Sequence, residues 1–325
     1  NMFFFKFREL RLAFSLFGEI LAILFVMAFF SRRKTIVAHS GRFHADDLFA
    51  VAMLMELLDG KGKVIRTNDD KDISKGDYVV DIGRVYDPIH NRFDHHQGDA
   101  GARANGVPYA ASGLVWKHYG ERIAGGAEAA RMIDESLVQP IDIHDTGFVG
   151  PKPIIEGVYS YQLDDIARAF DSTWIEREEG RNTTKAFLDL LPFARKLLRR
   201  EIARAQAQIK AKEFVLAAYD AASDKRIIVS DRYLPLSALD EKKDVLFVVG
   251  PSSRDGQWAV STMRINKHEF KNRKDLPAAW AGKSGAEMAT VSGVPDAVFC
   301  HLGRFLAIAK SKEGAVALAK KAIEA

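Results

Sequence analysis

Between residues 34 and 83 three short apolar runs, KTIVAH (34–39), KVIRT (63–67) and YVVDIG (78–83), are bounded by turn residues, and the first two flank the longer stretch LFAVAMLMELL (48–58). The short runs have strand length and are rich in β-branched residues; the long one has helical length and is closed by GKG. Strands alternating with helices bury their apolar faces as βαβ units, so the pattern predicts an α/β fold with a mostly parallel sheet flanked by helices. In such sheets ligands collect outside the carboxyl ends of the strands. His39 and Asp81 stand at that end of two of the runs.

The other polar residues of this region extend the same idea. HSGRFHADD supplies His39, His44, Asp46 and Asp47; FDHHQ (93–97) supplies Asp94, His95 and His96; IDIHDTG supplies Asp142 and Asp145. Five of the nine histidines fall between residues 39 and 96. Imidazoles mixed with carboxylates suit Mn²⁺, Fe²⁺, Co²⁺ or Zn²⁺, and the absence of thiolates here excludes a cysteine-type zinc site. One ion needs about three or four protein groups, fewer than this set offers. Two ions roughly 3.5–4 Å apart would use them all. Asp81, fixed by an apolar strand, is the expected bridge. His39 and His44 complete one ion, and Asp46, His95 and Asp145 the other, with a water acidified between them. Adjacent side chains on extended backbone point to opposite sides. His95 is therefore expected on an ion and His96 toward a substrate phosphoryl oxygen, with Asp94 orienting an imidazole. Singly each piece is weak: DHH could be a surface turn, and Asp145 a helix cap or loop carboxylate. Together, in the order expected of loops along one sheet edge, they predict a metal site.

Helical stretches are expected at 109–120 and 127–138 and from about 157 to 220. Within the last, residues 193–214 carry Arg195, Lys196, Arg199, Arg200, Arg204, Lys210 and Lys212 against Glu201 and Glu213. That is either a solvated helix face or a surface tracking a nucleic-acid backbone. The final hundred residues read as strands (RIIVSD, DVLFVVG, QWAVSTMRI, AVFCH, RFLAIAK), a hairpin turn at 252–257 and a closing helix at 313–323, hence a second, α+β domain. The expected divisions are an apolar extension (1–33), a metal-binding catalytic domain (34–156), a helical connector (157–220) and a substrate-binding domain (221–325). With 47% apolar and 28% charged residues the chain has globular composition, and a net charge of +4 is too small to argue for nucleic acid alone. The single cysteine, Cys300, excludes an intrachain disulfide framework and reads as a buried, inert thiol.

Residues 13–30, AFSLFGEILAILFVMAFF, are nearly long enough to span a bilayer, but Glu19 interrupts them and cationic residues flank both ends. Three readings stand: a dispensable extension ahead of a start at Met27, a membrane anchor, or a packed helix. The corresponding location is cytoplasmic or, with the anchor, membrane-attached. Self-association is open.

H-x-x-x-x-H-x-D, a strand-terminal Asp, DHH and a later D-T-G, in that order, resemble the DHH phosphoesterase superfamily. The closer resemblance is to the melanocyte-proliferating-gene family, also called metal-dependent protein hydrolases and regarded as 3′–5′ exoribonucleases. HSGRFHADD is similar to that family's H-N-G-T-F-H-C-D-E, and VVDIGRVYDPIHNRFDHHQ to its V-V-D-V-G-x-x-Y-D-P-x-x-x-R-Y-D-H-H-Q. EFKNRKDLPAAWAG (269–282) and VSGVPDAVFCH (291–301) carry the similarity into the second domain. The resemblance implies a DHH-type fold with two divalent cations, Mn²⁺ expected, and an RNA or oligonucleotide substrate. It implies His39, His44, Asp46, Asp81, His95 and Asp145 as ligands; with the roles read from the residues above, Asp81, Asp94 and His96 are the expected catalytic residues. His96, His301 and Arg273 would be the substrate contacts. Arg42, Ala45 and Asp47 stand where the family has Thr, Cys and Glu, and Ala281 where it has Arg; the ligand set is spared.

Two rivals remain. A pyrophosphatase or small phosphoester hydrolase would share the metal core but want a basic motif in the second domain, where NRKD (272–275) is thin. Nucleic-acid-acting relatives often carry Gly-Gly-Gly-His there, which this chain lacks; His301 could substitute. A nucleic-acid-binding module with a structural metal is the alternative of another class.

Overall fold

The structure, a computed structural model, describes residues 32–98, 100–148, 155–233, 235–253, 256–266 and 269–325. The apolar stretch 13–30 and Met27 lie outside them. Among the described residues no helix is long and apolar enough to cross a membrane. The chain divides into two compact units, residues 1–200 and 201–325.

The first unit opens with β1 (Thr35–Ala38), α1 (Ala45–Leu57), β2 (Lys63–Arg66), α2 (Asp70–Lys75), β3 (Tyr78–Val80), β4 (Tyr86–Asp87) and β5 (Arg92–Phe93). The sheet order is β2-β1-β3-β5-β4. β1 pairs in parallel with β2 and β3, and β3 with β5; β4 alone runs antiparallel, to β5. The mostly parallel sheet is thus present. α1 carries the chain from β1 to β2 on one side, and α2 carries it back past β1 to β3. The gap between β1 and β3 is therefore a topological switch point, where such sheets leave a crevice. α1 starts ahead of its apolar run because Asp46 and Asp47 occupy its first turn, where carboxylates suit the positive end of the helix dipole. From Leu48 to Leu54 it is buried on every side, so it lies inside the unit and not on its surface.

α3 (Ala111–Ala124) and α4 (Ala127–Ile133) follow, then a single π-helical turn (Asp134–Val138) and α5 (Gln139–Asp145). The helix expected to stop at 138 thus runs on to 145. Pro140 follows directly on the π-helical turn, inside a helix that continues from it, so its missing N–H leaves a carbonyl about one turn back without its helical donor. α6 (Leu163–Phe170), α7 (Trp174–Glu178) and α8 (Thr183–Ala221) fill the region expected to be helical. On α8, Arg195 and Arg199 each place Nε 2.7 Å from the Glu56 carboxylate of α1. Part of the basic face is therefore engaged in fastening α8 to α1.

The second unit contains β6 (Ile227–Val229), β7 (Phe247–Pro251), β8 (Trp258–Thr262), α9 (Gly285–Ser292), β9 (Ala297–Cys300), β10 (Leu306–Ala309) and α10 (Lys312–Glu324). Its order is β6-β7-β8-β10-β9, parallel between β6 and β7 and antiparallel elsewhere. Phe247, Val249, Val260, Ala307 and Ala309 pack with Leu318 and Ala322 of α10, and Cys300 is buried in this core. The expected turn at 252–257 closes with Ser252 N–H donating to Gln257 O at 2.8 Å. Both units are mixed sheets flanked by helices, the α/β architecture the strand and helix pattern predicts.

Candidate metal centre

Sheet register brings the first residues together. Arg66, Ala38, Val80 and Phe93 lie abreast across β2, β1, β3 and β5. The residues after the last three are His39, Asp81 and Asp94, so one sheet edge presents them side by side. Asp81 turns there with φ of 55°, a left-handed conformation that Asp tolerates better than most residues. Asp81 Oδ2 stands 3.3 Å from His39 Nε2, and Oδ1 stands 3.4 Å from His95 Nε2 and 3.6 Å from His96 Nδ1. Asp145, the last residue of α5, closes the far side with Oδ2 3.1 Å from His95 Nε2 and Oδ1 3.9 Å from His44 Nδ1.

Three groups result: His39, His44 and Asp81; Asp81, His95 and His96; Asp46, His95 and Asp145. Within each, the ligand atoms lie within 4.8 Å of one another, so each can hold a metal ion. Asp81 belongs to two groups and His95 to two. Asp81 Oδ1 and His95 Nε2 are buried without a hydrogen-bond partner among the described residues. Buried polar atoms are ordinarily satisfied. Unsatisfied carboxylate and imidazole atoms converging at one point fit a divalent cation of hard or borderline character.

The charges interact strongly. Burial would lower the His39 pKa, but its contact with Asp81 and the charge of Asp47 raise it to about 9. Burial works against ionisation of Asp81 as well, yet His39 and His95 on either side hold it below the usual carboxylate range. His95 is raised, burial being outweighed by Asp145 and Asp81. Asp46 goes the other way: burial, then the charges of Asp145, Asp81 and Asp142, push it well up. A surplus of buried negative charge is the environment a cation would relieve.

Supporting residues fix these groups. His39 Nδ1 lies 3.1 Å from the Ser40 carbonyl, an arrangement that puts a proton on Nδ1 and turns Nε2 toward the carboxylates of the cluster. Asp46 Oδ2 accepts from Ala111 N–H (3.0 Å) and Oδ1 from Ser112 N–H (2.7 Å), while Asp142 Oδ1 accepts from Gly113 N–H (3.0 Å). Two buried aspartates thus cap α3, whose own N-cap Ala110 offers no side-chain acceptor. Asp142 is held further by Arg103 Nη1 at 2.7 Å, so it serves the helix end and not the cluster. A side chain on Gly113 would place its Cβ 1.9 Å from Asp142 Oδ2, which is why glycine stands there.

His95 and His96 depart from expectation. Their ring centroids lie only 4.6 Å apart and both face Asp81, not opposite sides. β5 ends at Phe93 and the chain is already turning at His96, so the alternation of extended backbone does not apply. The two rings differ in exposure instead. His95 is largely covered, whereas the His96 side chain is 56% exposed and its Nδ1 sits 2.7 Å from Asp94 Oδ1. Asp94, fully buried, also accepts from His96 N–H (3.1 Å) and Arg84 N–H (2.6 Å).

The two residues singled out in the second unit have different surroundings. Arg273 donates from Nε to Arg264 O (3.0 Å), from Nη1 to Lys242 O (2.5 Å) and Val245 O (2.9 Å), and from Nη2 to Asp240 O (2.8 Å) and Leu239 O (3.5 Å). All five guanidinium N–H groups are engaged by backbone carbonyls, which makes Arg273 a loop organiser. His301 Nδ1 accepts from Gly303 N–H at 2.9 Å, so its proton is on Nε2. Sequence reasoning gave no role to Asp47 and Arg66. Asp47 Oδ2 lies 3.3 Å from His39 Nε2 and 3.5 Å from Arg66 Nη2. The sequence shows only that Arg66 ends an apolar run; which side chains stand beside it depends on how the 39–44 loop folds.

Residues 35–323 match the MYG1 exonuclease family model, described as an uncharacterised protein family (UPF0160). Among similar proteins, a MYG1 protein of Caenorhabditis elegans is 29% identical, with 88% of this chain and 94% of that protein covered. A MYG1 protein of Saccharomyces cerevisiae is 30% identical, over 89% of this chain and 96% of its own length. The human protein named MYG1 exonuclease is 26% identical, over 87% of this chain and 84% of its own.

Proposed function

Because the chain belongs to the MYG1 exonuclease family, we propose that it is a divalent-metal-dependent phosphodiesterase, a 3′–5′ exonuclease acting on RNA or short oligonucleotides. The observation that carries this reading is the sharing of Asp81 and His95 among three adjoining ligand groups, which suits two neighbouring cations better than one. His39, His44, Asp46, Asp81, His95 and Asp145 would hold them, with Mn²⁺ the expected metal. Bound there, such ions lower the pKa of water and neutralise charge developing on a phosphoryl group.

The chain's own residues do the positioning. Asp81 stands between the groups, its two oxygens turned to different histidines. Asp94 fixes the His96 ring through Nδ1, which leaves Nε2 to the half-exposed side of the cluster. From there His96 would donate to a non-bridging phosphate oxygen as its charge grows in the transition state. Asp46 is fixed by two amides at the N-terminus of α3, so its carboxylate would already be oriented before a cation binds. A catalytic domain of residues 34–156, a helical connector and a substrate-binding domain from 221 onward, with His301 as a substrate contact, complete the proposal. The test is turnover of a short RNA and of pyrophosphate with Mn²⁺, in the native chain and in Asp81→Ala. Metal-dependent RNA cleavage lost in the variant supports the reading, and turnover kept by the variant sinks it.

A further inference from the structure

Arg66, the last residue of β2, is 8% exposed, an unusual position for a guanidinium. Nη2 donates to the carbonyls of Gly41 (3.2 Å) and Arg42 (3.4 Å), and Nη1 to that of Thr183 (3.4 Å). Its Cζ lies over the Phe187 ring, 4.6 Å from the centroid, and over the Phe43 ring, 5.4 Å from the centroid. Nη2 also faces Asp47 Oδ2 at 3.5 Å. Asp47 is fully buried, and its other oxygen accepts from His44 N–H at 2.8 Å. Its Oδ2 stands 3.3 Å from His39 Nε2 and has no hydrogen-bond partner among the described residues.

These contacts converge on one segment. His39 and His44 bracket Ser40–Phe43, a bend with no helix or strand of its own and with Gly41 at φ of 92°. Such a segment has nothing internal to set the separation of the two imidazoles. Arg66 grips its middle through two carbonyls and the Phe43 ring, while Asp47 ties to its two ends. The two rings lie 5.8 Å apart, centroid to centroid. A buried ion pair adds little net stability, so the pair's value lies in geometry. Lysine could not replace the arginine, because a point charge cannot address three carbonyls, a carboxylate and two ring faces at once.

We propose that Arg66 and Asp47 are positioning residues that hold His39 and His44 apart at ligand spacing and so determine whether the His39, His44 and Asp81 group takes its ion. The inference rests on the two-ion reading above. Arg66→Lys and the isosteric Asp47→Asn are compared with the unaltered full chain after removal of metal. Each is titrated with Mn²⁺ and Co²⁺, and the readouts are bound metal per chain, the visible absorption of Co²⁺, and thermal unfolding of the metal-free protein. The unaltered chain should bind two ions. Each variant should bind one tightly, with the second weakened at least about tenfold, as for other outer partners of metal ligands. Co²⁺ absorption should fall by about half while the metal-free variants still unfold cooperatively. An unaltered chain that binds fewer than two ions overturns the two-ion reading and this inference with it. Two ions in the unaltered chain and two in both variants, with the same Co²⁺ spectrum, overturn this inference alone. So does equal weakening of both ions, which would make the pair a general support of the fold.

Discussion

Asp81 stands in the middle of the cluster, its two oxygens facing His39 on one side and His95 and His96 on the other. Asp81→Asn keeps the shape and removes the charge. We expect more than a hundredfold loss of metal-dependent turnover, beyond the roughly 10–100-fold typical of outer partners, with the circular dichroism of the fold retained. Activity within a few-fold of the unaltered chain would remove Asp81 from the centre. His39 offers a pH signature. Its pKa is raised from 6.5 to about 9, so in metal-free protein its protonated ring contributes stability fully present below pH 6.5 and lost as pH rises through 9. A shift of that size is worth on the order of 3 kcal/mol. Metal needs the neutral ring, so affinity for a divalent ion should move the opposite way, rising with pH across the same window. Urea melts of metal-free protein at pH 6 and 9.5, beside Mn²⁺ titrations at both, read the two slopes; parallel slopes would contradict the assignment. At this scale the sequence was legible where a polar residue ends an apolar run, as His39 and Asp81 do. It was not legible for Asp47 and Arg66, whose roles depend on which side chains a folded loop brings near. Nor does composition reveal that Arg273 has five carbonyls waiting for it.

Among the elements, α3 shows how a helix can stabilise a site without supplying a ligand. Its N-terminal amides are held by Asp46 and Asp142, and Gly113 leaves room for the second. Gly113→Ala would drive a methyl group into a buried carboxylate. We expect about 1–3 kcal/mol of destabilisation, as for other overpacked positions, measured by urea denaturation. A neutral or stabilising substitution would mean that Asp142 is free to move. Strand β9 makes the converse point, because Cys300 lies fully buried in the core of the second unit and burial pushes its thiol up to about 11. Iodoacetamide at pH 7.5 should leave the folded chain unmodified and label it once urea is added; rapid labelling of the folded protein would contradict this packing. Helix existence was readable from apolar runs and strand existence from β-branched ones. Boundaries were not: α1 begins early because aspartates favour its first turn, and the helix through 138 continues because a π-helical turn joins α4 to α5 without a break. The opposed directions assigned to His95 and His96 failed for the same local reason, since β5 stops one residue before the DHH segment.

For the molecule as a whole, the order of strands and helices was sufficient to anticipate two mixed sheets flanked by helices, and the resemblance anticipated the family that matches residues 35–323. Net charge was a poor guide: Arg195 and Arg199 of the basic stretch are fastened to Glu56, so a count of cations overstates what is open to a polyanion. The functional proposal therefore depends on the cluster at the sheet edge rather than on bulk electrostatics. The measurement that bears on it most directly is the shortening of a 5′-labelled single-stranded RNA by the full chain in Mn²⁺ and in excess chelator. Progressive loss of 3′ nucleotides in Mn²⁺ and none in chelator is the predicted result. An equal rate in chelator, or an intact RNA under conditions in which pyrophosphate is hydrolysed, would contradict it.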